Sequence, residues 1–356
     1  MTIDRFTGNV LKIRVKDQEF NVVKHIYSPL ILFGRGTHVF IVKDHQGSVY
    51  VLKDSWILVE HGLSEIDALQ TIKDCLESDK KNKKTKAYRA MCPQFIIGED
   101  LDDSTKDRRG MLANIPPDRK HRRVVTGPVG DSLTSYRSRA EFIKVMLDCA
   151  QWLQYLHEKC LIVHGDLSIN NIVIYRSPHP QPPKPKPKRE SKPKRVSKSK
   201  RAAQLKSEDT GDGTVVPATA EGVDEHIPVT GIVIDYDYAR KVGTRMDRTS
   251  GTLPFMPLMA LDKKLQGQYI HEPAHDLESL LQTILAIVCF NDGACGVTRS
   301  ADDSVPTSRW FNEVDRDQLH KDKTIDLLCY EAEIEPYLTE YWKPFAPFLK
   351  RLVNVT

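Results

Sequence analysis

The residues with the clearest capacity for chemistry lie in one run, Val163-His164-Gly165-Asp166-Leu167-Ser168-Ile169-Asn170-Asn171-Ile172-Val173-Ile174. Asp166 can take the proton of an attacking hydroxyl. Asn171, five positions on, can hold a magnesium ion through its amide oxygen. That pair at that spacing is what phosphoryl transfer uses. His, Asp and Asn also gather in turns for hydrogen bonding alone. The reading therefore depends on other phosphate-handling parts appearing in the right order.

They do. Phe33-Gly34-Arg35-Gly36-Thr37 follows an apolar run, and its two glycines suit a backbone that approaches phosphates closely. Val39 stands where a third glycine would complete GxGxxG, and an ordinary hairpin turn is the alternative. Val51-Leu52-Lys53-Asp54 ends a strand, and Lys53 is the residue type that pairs α and β phosphates; the alternative is a solvated edge lysine. Glu65 can reach back to Lys53, with Glu60 competing for that place, or can simply complement its helix dipole. Asp235 follows the apolar strand Ile232-Val233-Ile234, as a second magnesium ligand does. Asp276 opens a long apolar helix, as a cap or as a tie to the Asp166 loop.

Positioning these groups falls to recognisable elements. Alternation across Leu11-Ile13-Val15, Phe20-Val22, Phe40-Val42 and Val49-Val51 predicts antiparallel strands. Ser64 caps a predicted helix over 65–77 with Ile66, Leu69, Ile72 and Leu76 on one face. Residues 80–123 read as polar and irregular apart from Phe95-Ile96-Ile97 and a strand beginning at Arg122. An amphipathic helix over 141–159 delivers the chain into the His164 loop. Beyond Cys289 the aromatics Trp310, Tyr330, Tyr337, Tyr341, Trp342, Phe345 and Phe348 predict packed helices and no chemistry.

Composition bounds the rest. The 356 residues, 40% hydrophobic, suffice for one large two-lobed domain. Seven cysteines without a CxxC pair argue for reduced thiols in an intracellular protein, in nucleus or cytoplasm. Met1-Thr2-Ile3-Asp4-Arg5 opens without an apolar stretch, so no secretory signal is expected; nor is any membrane span. Residues 176–229 are rich in Pro, Lys, Ser, Gly and Asp and predict a disordered insertion at a hairpin tip. Lys184–Lys206 holds 11 Lys/Arg against one Glu, while the whole chain carries +4. The globular part is therefore mildly acidic, and direct nucleic-acid binding is not expected of it. The basic run resembles a nuclear import signal, for an import receptor; the alternatives are a tether to nucleic acid or to an anionic surface, and a solvated spacer.

Taken together, Phe-Gly-Arg-Gly-Thr, Val-Leu-Lys-Asp-Ser-Trp, His-x-Asp-x-Ser-x-x-Asn, Ile-Asp-Tyr-Asp, Gly-Thr-Leu-Pro-Phe-Met and His-Asp-Leu-Glu-Ser resemble the fungal-type protein kinase family over about Val10 to Phe290. The resemblance implies an α+β bilobal fold: a small antiparallel-sheet N-lobe (1–126) over a mainly helical C-lobe (127–356), with ATP in the cleft. It implies Asp166 as catalytic base toward a Ser or Thr hydroxyl of a protein substrate, with Ser168 and Asn171 in the same loop. Lys53 would hold phosphates clamped by Glu65, Gly34 and Gly36 would cover them, and Asn171 and Asp235 would hold magnesium. Gly251-Thr252 would floor a peptide site. Against protein kinases in general, Gly165 replaces the usual Arg, Asp237 the usual Gly and Met259 the usual Glu; Ser168 stands where many Ser/Thr kinases have Lys, a trait shared with the fungal-type family. Asp237 is expected to stiffen its turn, and Met259 to remove a buried ion pair. Two other readings stay open: a small-molecule phosphotransferase of the aminoglycoside or choline kinase type, and a kinase-like scaffold without turnover.

Overall fold

The structure is a computed structural model that describes residues 1–28, 35–58, 63–109, 117–177, 228–245, 251–299 and 305–355. Gly34, Glu60 and the basic run Lys184–Lys206 lie outside the described residues. Met1–Arg176 together with Val229–Thr356 forms one compact unit and Ser177–Pro228 another; the fold is that of the first.

Alternating apolar residues build the N-terminal sheet. The chain runs through β1 (Thr2–Ile3), β2 (Val10–Val15), β3 (Gln18–Tyr27), β4 (His38–Lys43) and β5 (Val49–Leu58), then helices α1 (Glu65–Ser78) and α2 (Thr85–Ala90), β6 (Gln94–Ser104), α3 (Thr105–Arg109) and β7 (Arg119–Gly127). The seven strands pair antiparallel in the order β1-β2-β3-β4-β5-β7-β6, and the sheet curls until β2 approaches β6. Ile13, Val15, Phe20, Phe40, Val42, Leu52 and Val125 form its own apolar core. Leu11 shares the parity of Ile13 but stays exposed near the sheet's outer edge.

Three expectations change here. β5 does not end at Asp54 but runs on to Leu58, so Lys53 sits mid-strand between β4 and β7, opposite Val39 and Val124. It is not an edge lysine. Residues 80–123 are not irregular: α2, an 11-residue β6, α3 and β7 occupy much of that stretch. The polar residues that hid β6 and β7 make cross-strand ion pairs, Arg122 with Asp100 and Arg123 with Asp54. The helix expected over 141–159 begins at Arg139 under a Ser138 cap and ends in a π-helical turn, Leu156–Cys160.

The second lobe begins with β8 (Asp131–Ser132) and α4 (Arg139–Tyr155), then β9 (Ile162–Val163), β10 (Ile172–Arg176), β11 (Val229–Val233) and β12 (Arg240–Lys241). It continues through α5 (Leu258–Leu261), α6 (Pro273–Phe290), α7 (Pro306–Asn312), α8 (Arg316–Leu328), α9 (Tyr330–Glu333) and α10 (Ala346–Val353). β10 and β11 pair antiparallel from Ile172–Val233 to Arg176–Val229, across the insertion, as expected. Phe142, Val145, Cys149, Trp152 and Leu153 bury the inner face of α4 against this core, and Leu156 of the π-helical turn joins them. Each such apolar side chain stabilises the fold by about 1.5–3 kcal/mol. Leu69, Ile72 and Leu76 of α1 join the same core, so α1 ties the sheet to the helical lobe. Among the described residues no helix is long and apolar enough to cross a membrane.

Candidate active site

Lys53 is the centre of the site. β5 holds its backbone on both sides, and its Nζ lies 3.2 Å from Glu65 Oε2, 2.6 Å from Asp235 Oδ1 and 2.7 Å from Asp237 Oδ2. Glu65 arrives on the first turn of α1, whose start is set by Ser64 Oγ accepting the Asp67 N–H. The other Glu65 oxygen accepts the Tyr236 N–H at 3.2 Å. Asp235 follows β11 in the left-handed region, φ +67, which Asp tolerates better than most side chains. Tyr236 is driven into the core, where its hydroxyl accepts the Trp152 indole N–H at 2.8 Å. The next residue, Asp237, is thereby aimed back at Lys53.

The electrostatics follow from this crowding. Burial favours a neutral Lys53, but Asp235, Asp237 and Glu65 outweigh it and hold the ammonium well above its ordinary value. Burial likewise opposes ionisation of Asp235, and Lys53 with Arg35 reverses this, holding the carboxyl below the usual range. Glu65 comes out the other way. Burial and the charges of Asp237 and Asp235 exceed the help from Lys53 and push it up to about 7.

The Asp166 loop is positioned from beneath. Asp276, fully buried at the start of α6, accepts the backbone N–H groups of His164 at 2.7 Å and Gly165 at 3.0 Å. It also meets His157 Nε2 at 2.9 Å and His271 Nε2 at 2.8 Å. Burial opposes its charge, and the two imidazoles keep its pKa well below the ordinary one. Asp276 is the tie; the helix cap is Glu272. Gly165 has φ +77, and a Cβ there would stand 2.6 Å from the Tyr238 carbonyl oxygen. The absence of the usual Arg is thus a backbone requirement.

Asp166 is buried and accepts both the N–H and the hydroxyl of Thr252 on Oδ1, at 2.8 and 2.9 Å. Burial and the charge of Asp235 raise its pKa, with the Thr252 bonds opposing. The Asn171 amide nitrogen donates to the Asp166 carbonyl oxygen at 2.7 Å, which leaves the amide oxygen as its donor atom toward a cation. Ser168 is buried beside them, its carbonyl accepting the Asn171 N–H at 3.0 Å. Gly36 has φ +50, a Cβ there would stand 3.4 Å from the Trp56 ring, and Arg35 O accepts the Trp56 N–H at 2.7 Å, which holds Arg35 against β5.

The fold thus gathers Lys53, Glu65 and Asp235 in one cluster, with Asp166, Ser168 and Asn171 in an adjoining one. Sequence reasoning missed two members. Asp237 was expected only to stiffen its turn, yet it is a third carboxylate on Lys53. Arg35, between the loop glycines, reaches Asp237 at 2.9 Å and Asp235 at 3.9 Å and stacks over Tyr238. The signal for Asp237 was its presence where glycine is usual; for Arg35 there was none. Glu65, Asp235 and Asp237 each offer an oxygen within 4.8 Å of the others, and Asp237 Oδ1 is buried without a partner. Oxygen-only, anionic donors suit a hard divalent cation such as magnesium.

Compared with known families, residues 72–289 match the model described as fungal protein kinase. The chain belongs to the fungal protein kinase family. The match takes in Asp166, Asn171, Asp235 and Asp276, while Gly36, Lys53 and Glu65 precede it and stand on their geometry. No curated protein matches the chain. Family membership supports a kinase function and accounts for the two-lobed α+β architecture.

Proposed function

We propose that this fungal protein kinase transfers the γ-phosphate of ATP to Ser or Thr hydroxyls of a protein, with magnesium. The observation that carries the reading is Thr252: its hydroxyl lies 2.9 Å from Asp166 Oδ1. A segment of main chain thus places a hydroxyl within proton-transfer reach of the candidate base. Asp166 takes the proton of the acceptor hydroxyl as its oxygen bonds to the γ-phosphorus and the bond from that phosphorus to the bridging oxygen breaks, releasing ADP; its raised pKa suits that task. Lys53, steadied by Glu65, neutralises phosphate charge, and Gly36 allows close backbone approach. Ser168 lies buried in the same loop, where its carbonyl steadies Asn171. Asp235 and Asn171 would hold magnesium, which when bound supplies the charge neutralisation that phosphoryl transfer depends on.

The test is transfer of label from γ-labelled ATP to a generic basic protein, to the protein itself, and to aminoglycoside and choline acceptors. Wild type should label Ser or Thr. Asp235→Ala and Asp166→Asn should lower the rate, the latter by about 10²–10⁴-fold with nucleotide affinity kept within a few-fold. Label on a small molecule alone would select the small-molecule enzyme. ATP binding without any transfer would select the scaffold.

A further inference from the structure

Asp237 stands two residues beyond Asp235, and its two oxygens differ sharply. Oδ2 receives Lys53 at 2.7 Å and Arg35 at 2.9 Å. Oδ1 is buried and has no hydrogen-bond partner. Buried carboxylate oxygens without a donor are exceptions in folded proteins, and each calls for a cause. Other charged groups gather around Asp237. Three carboxylates, Glu65, Asp235 and Asp237, converge within 4.8 Å, and two cations, Lys53 and Arg35, face them. An unpartnered carboxylate oxygen grouped with the oxygens of Asp235 and Glu65 is the kind of donor a hard divalent cation takes. A cavity of about 230 Å³ lined by Arg35, Asp67, Asp237 and Tyr238 gives a hydrated ion an approach.

We propose that Asp237 is a second carboxylate ligand of the divalent cation assigned to Asp235 and Asn171, and that Arg35 occupies Asp237 as an internal cation until the metal binds. The proposal rests on the kinase reading of this site. Hard divalent ions in phosphate-handling sites take one or two carboxylates beside phosphate and water, and Asp237 supplies the second. Arg35 comes from the loop that covers the phosphates, so its release from Asp237 couples cation entry to that loop.

The probe is Mn²⁺ binding to the full chain, read from the free-ion paramagnetic resonance signal with and without a non-hydrolysable ATP analogue. Asp237→Asn keeps the side-chain shape and removes the charge. It should weaken Mn²⁺ by about tenfold or more, as Asp235→Asn should. Water-proton relaxation by bound Mn²⁺ should rise in Asp237→Ala, because water replaces the lost ligand. Arg35→Gln should bind Mn²⁺ several-fold more tightly than wild type without nucleotide. Wild-type affinity in Asp237→Asn with loss in Asp235→Asn overturns the proposal and leaves the kinase reading intact. Unchanged affinity in both variants removes the metal site itself. Should Asp237→Asn fail to fold, Arg35→Gln decides: affinity no higher than wild type overturns the proposal.

Discussion

Glu65 shows how one contact can act in two directions. Its ion pair with Lys53 at 3.2 Å reads as stabilising, yet Glu65 is buried beside Asp235 and Asp237, and its pKa rises to about 7. In the unfolded chain it would titrate near its ordinary value of 4.5. Between those values the folded protein keeps a proton that the unfolded chain has lost. The associated stability is fully present below pH 4.5 and is lost as pH rises through about 7. Asp166, also raised, adds a slope of the same sign; Asp235, held down, acts with the opposite sign below its ordinary range. Urea unfolding at a series of pH values should therefore show a declining free energy from about pH 5 to 7, and Glu65→Gln should flatten it. An unchanged decline in Glu65→Gln would refute the assignment of this proton to Glu65.

At the scale of elements, the segment beyond Thr252 is held from below by side chains that arrive late in the chain. Lys323 of α8 is fully buried, donates to the carbonyl oxygen of Pro254 at 3.3 Å and to Gln282 Oε1 at 2.8 Å, and also reaches the Met256 carbonyl. Its ammonium lies over the Trp310 ring. Glu278 of α6 accepts the Leu258 N–H at 2.8 Å. Met259 is half exposed, and the ion pair it was expected to remove is matched here by Lys323 and Glu278 gripping the main chain instead. Lys323→Met leaves buried carbonyl oxygens without a donor, at about 1–3 kcal/mol each. The expected result is a lower melting temperature and, on the proposal that this segment floors a peptide site, a raised KM for a peptide acceptor with nucleotide Kd unchanged. A variant with wild-type melting and wild-type peptide KM would show that Lys323 does not anchor this floor. The late aromatics were expected to carry no chemistry, and Trp310, Tyr330 and Trp342 are indeed core; the lysine among them went unread because a charged residue on a helix normally faces water.

For the whole molecule, the insertion is the feature that sets this chain apart from a bare two-lobed domain. β10 and β11 pair to Arg176–Val229, and Ser177 N–H donates to the Pro228 carbonyl oxygen at 3.1 Å, so the ladder closes at the point where the insertion leaves it. Replacing residues 178–227 by an Asn-Gly turn should leave melting temperature and phosphate transfer near wild type, because about two residues suffice to join such strands. If Lys184–Lys206 is read by an import receptor, a fluorescent fusion should leave the nucleus on the same deletion; an unchanged distribution would sink the import reading. What the sequence determined by itself was local. Period-two and helical apolar patterns placed β2 to β5, α1, α4 and the β10–β11 pair, and Asp166, Asn171, Asp235 and Asp276 were visible because the motifs around them are short and contiguous. Only the tertiary structure decided that Lys53 lies mid-sheet, since its neighbour strand β7 arrives long after β5 and across polar residues that masked it. Only it decided that Arg35 meets Asp237, 202 positions away, and that Lys323 reaches back 69 positions to Pro254. Such pairings leave no period and no spacing in the chain; they exist because burial of the shared core brings distant backbones into one register, and the charges must then find partners among whatever that register provides.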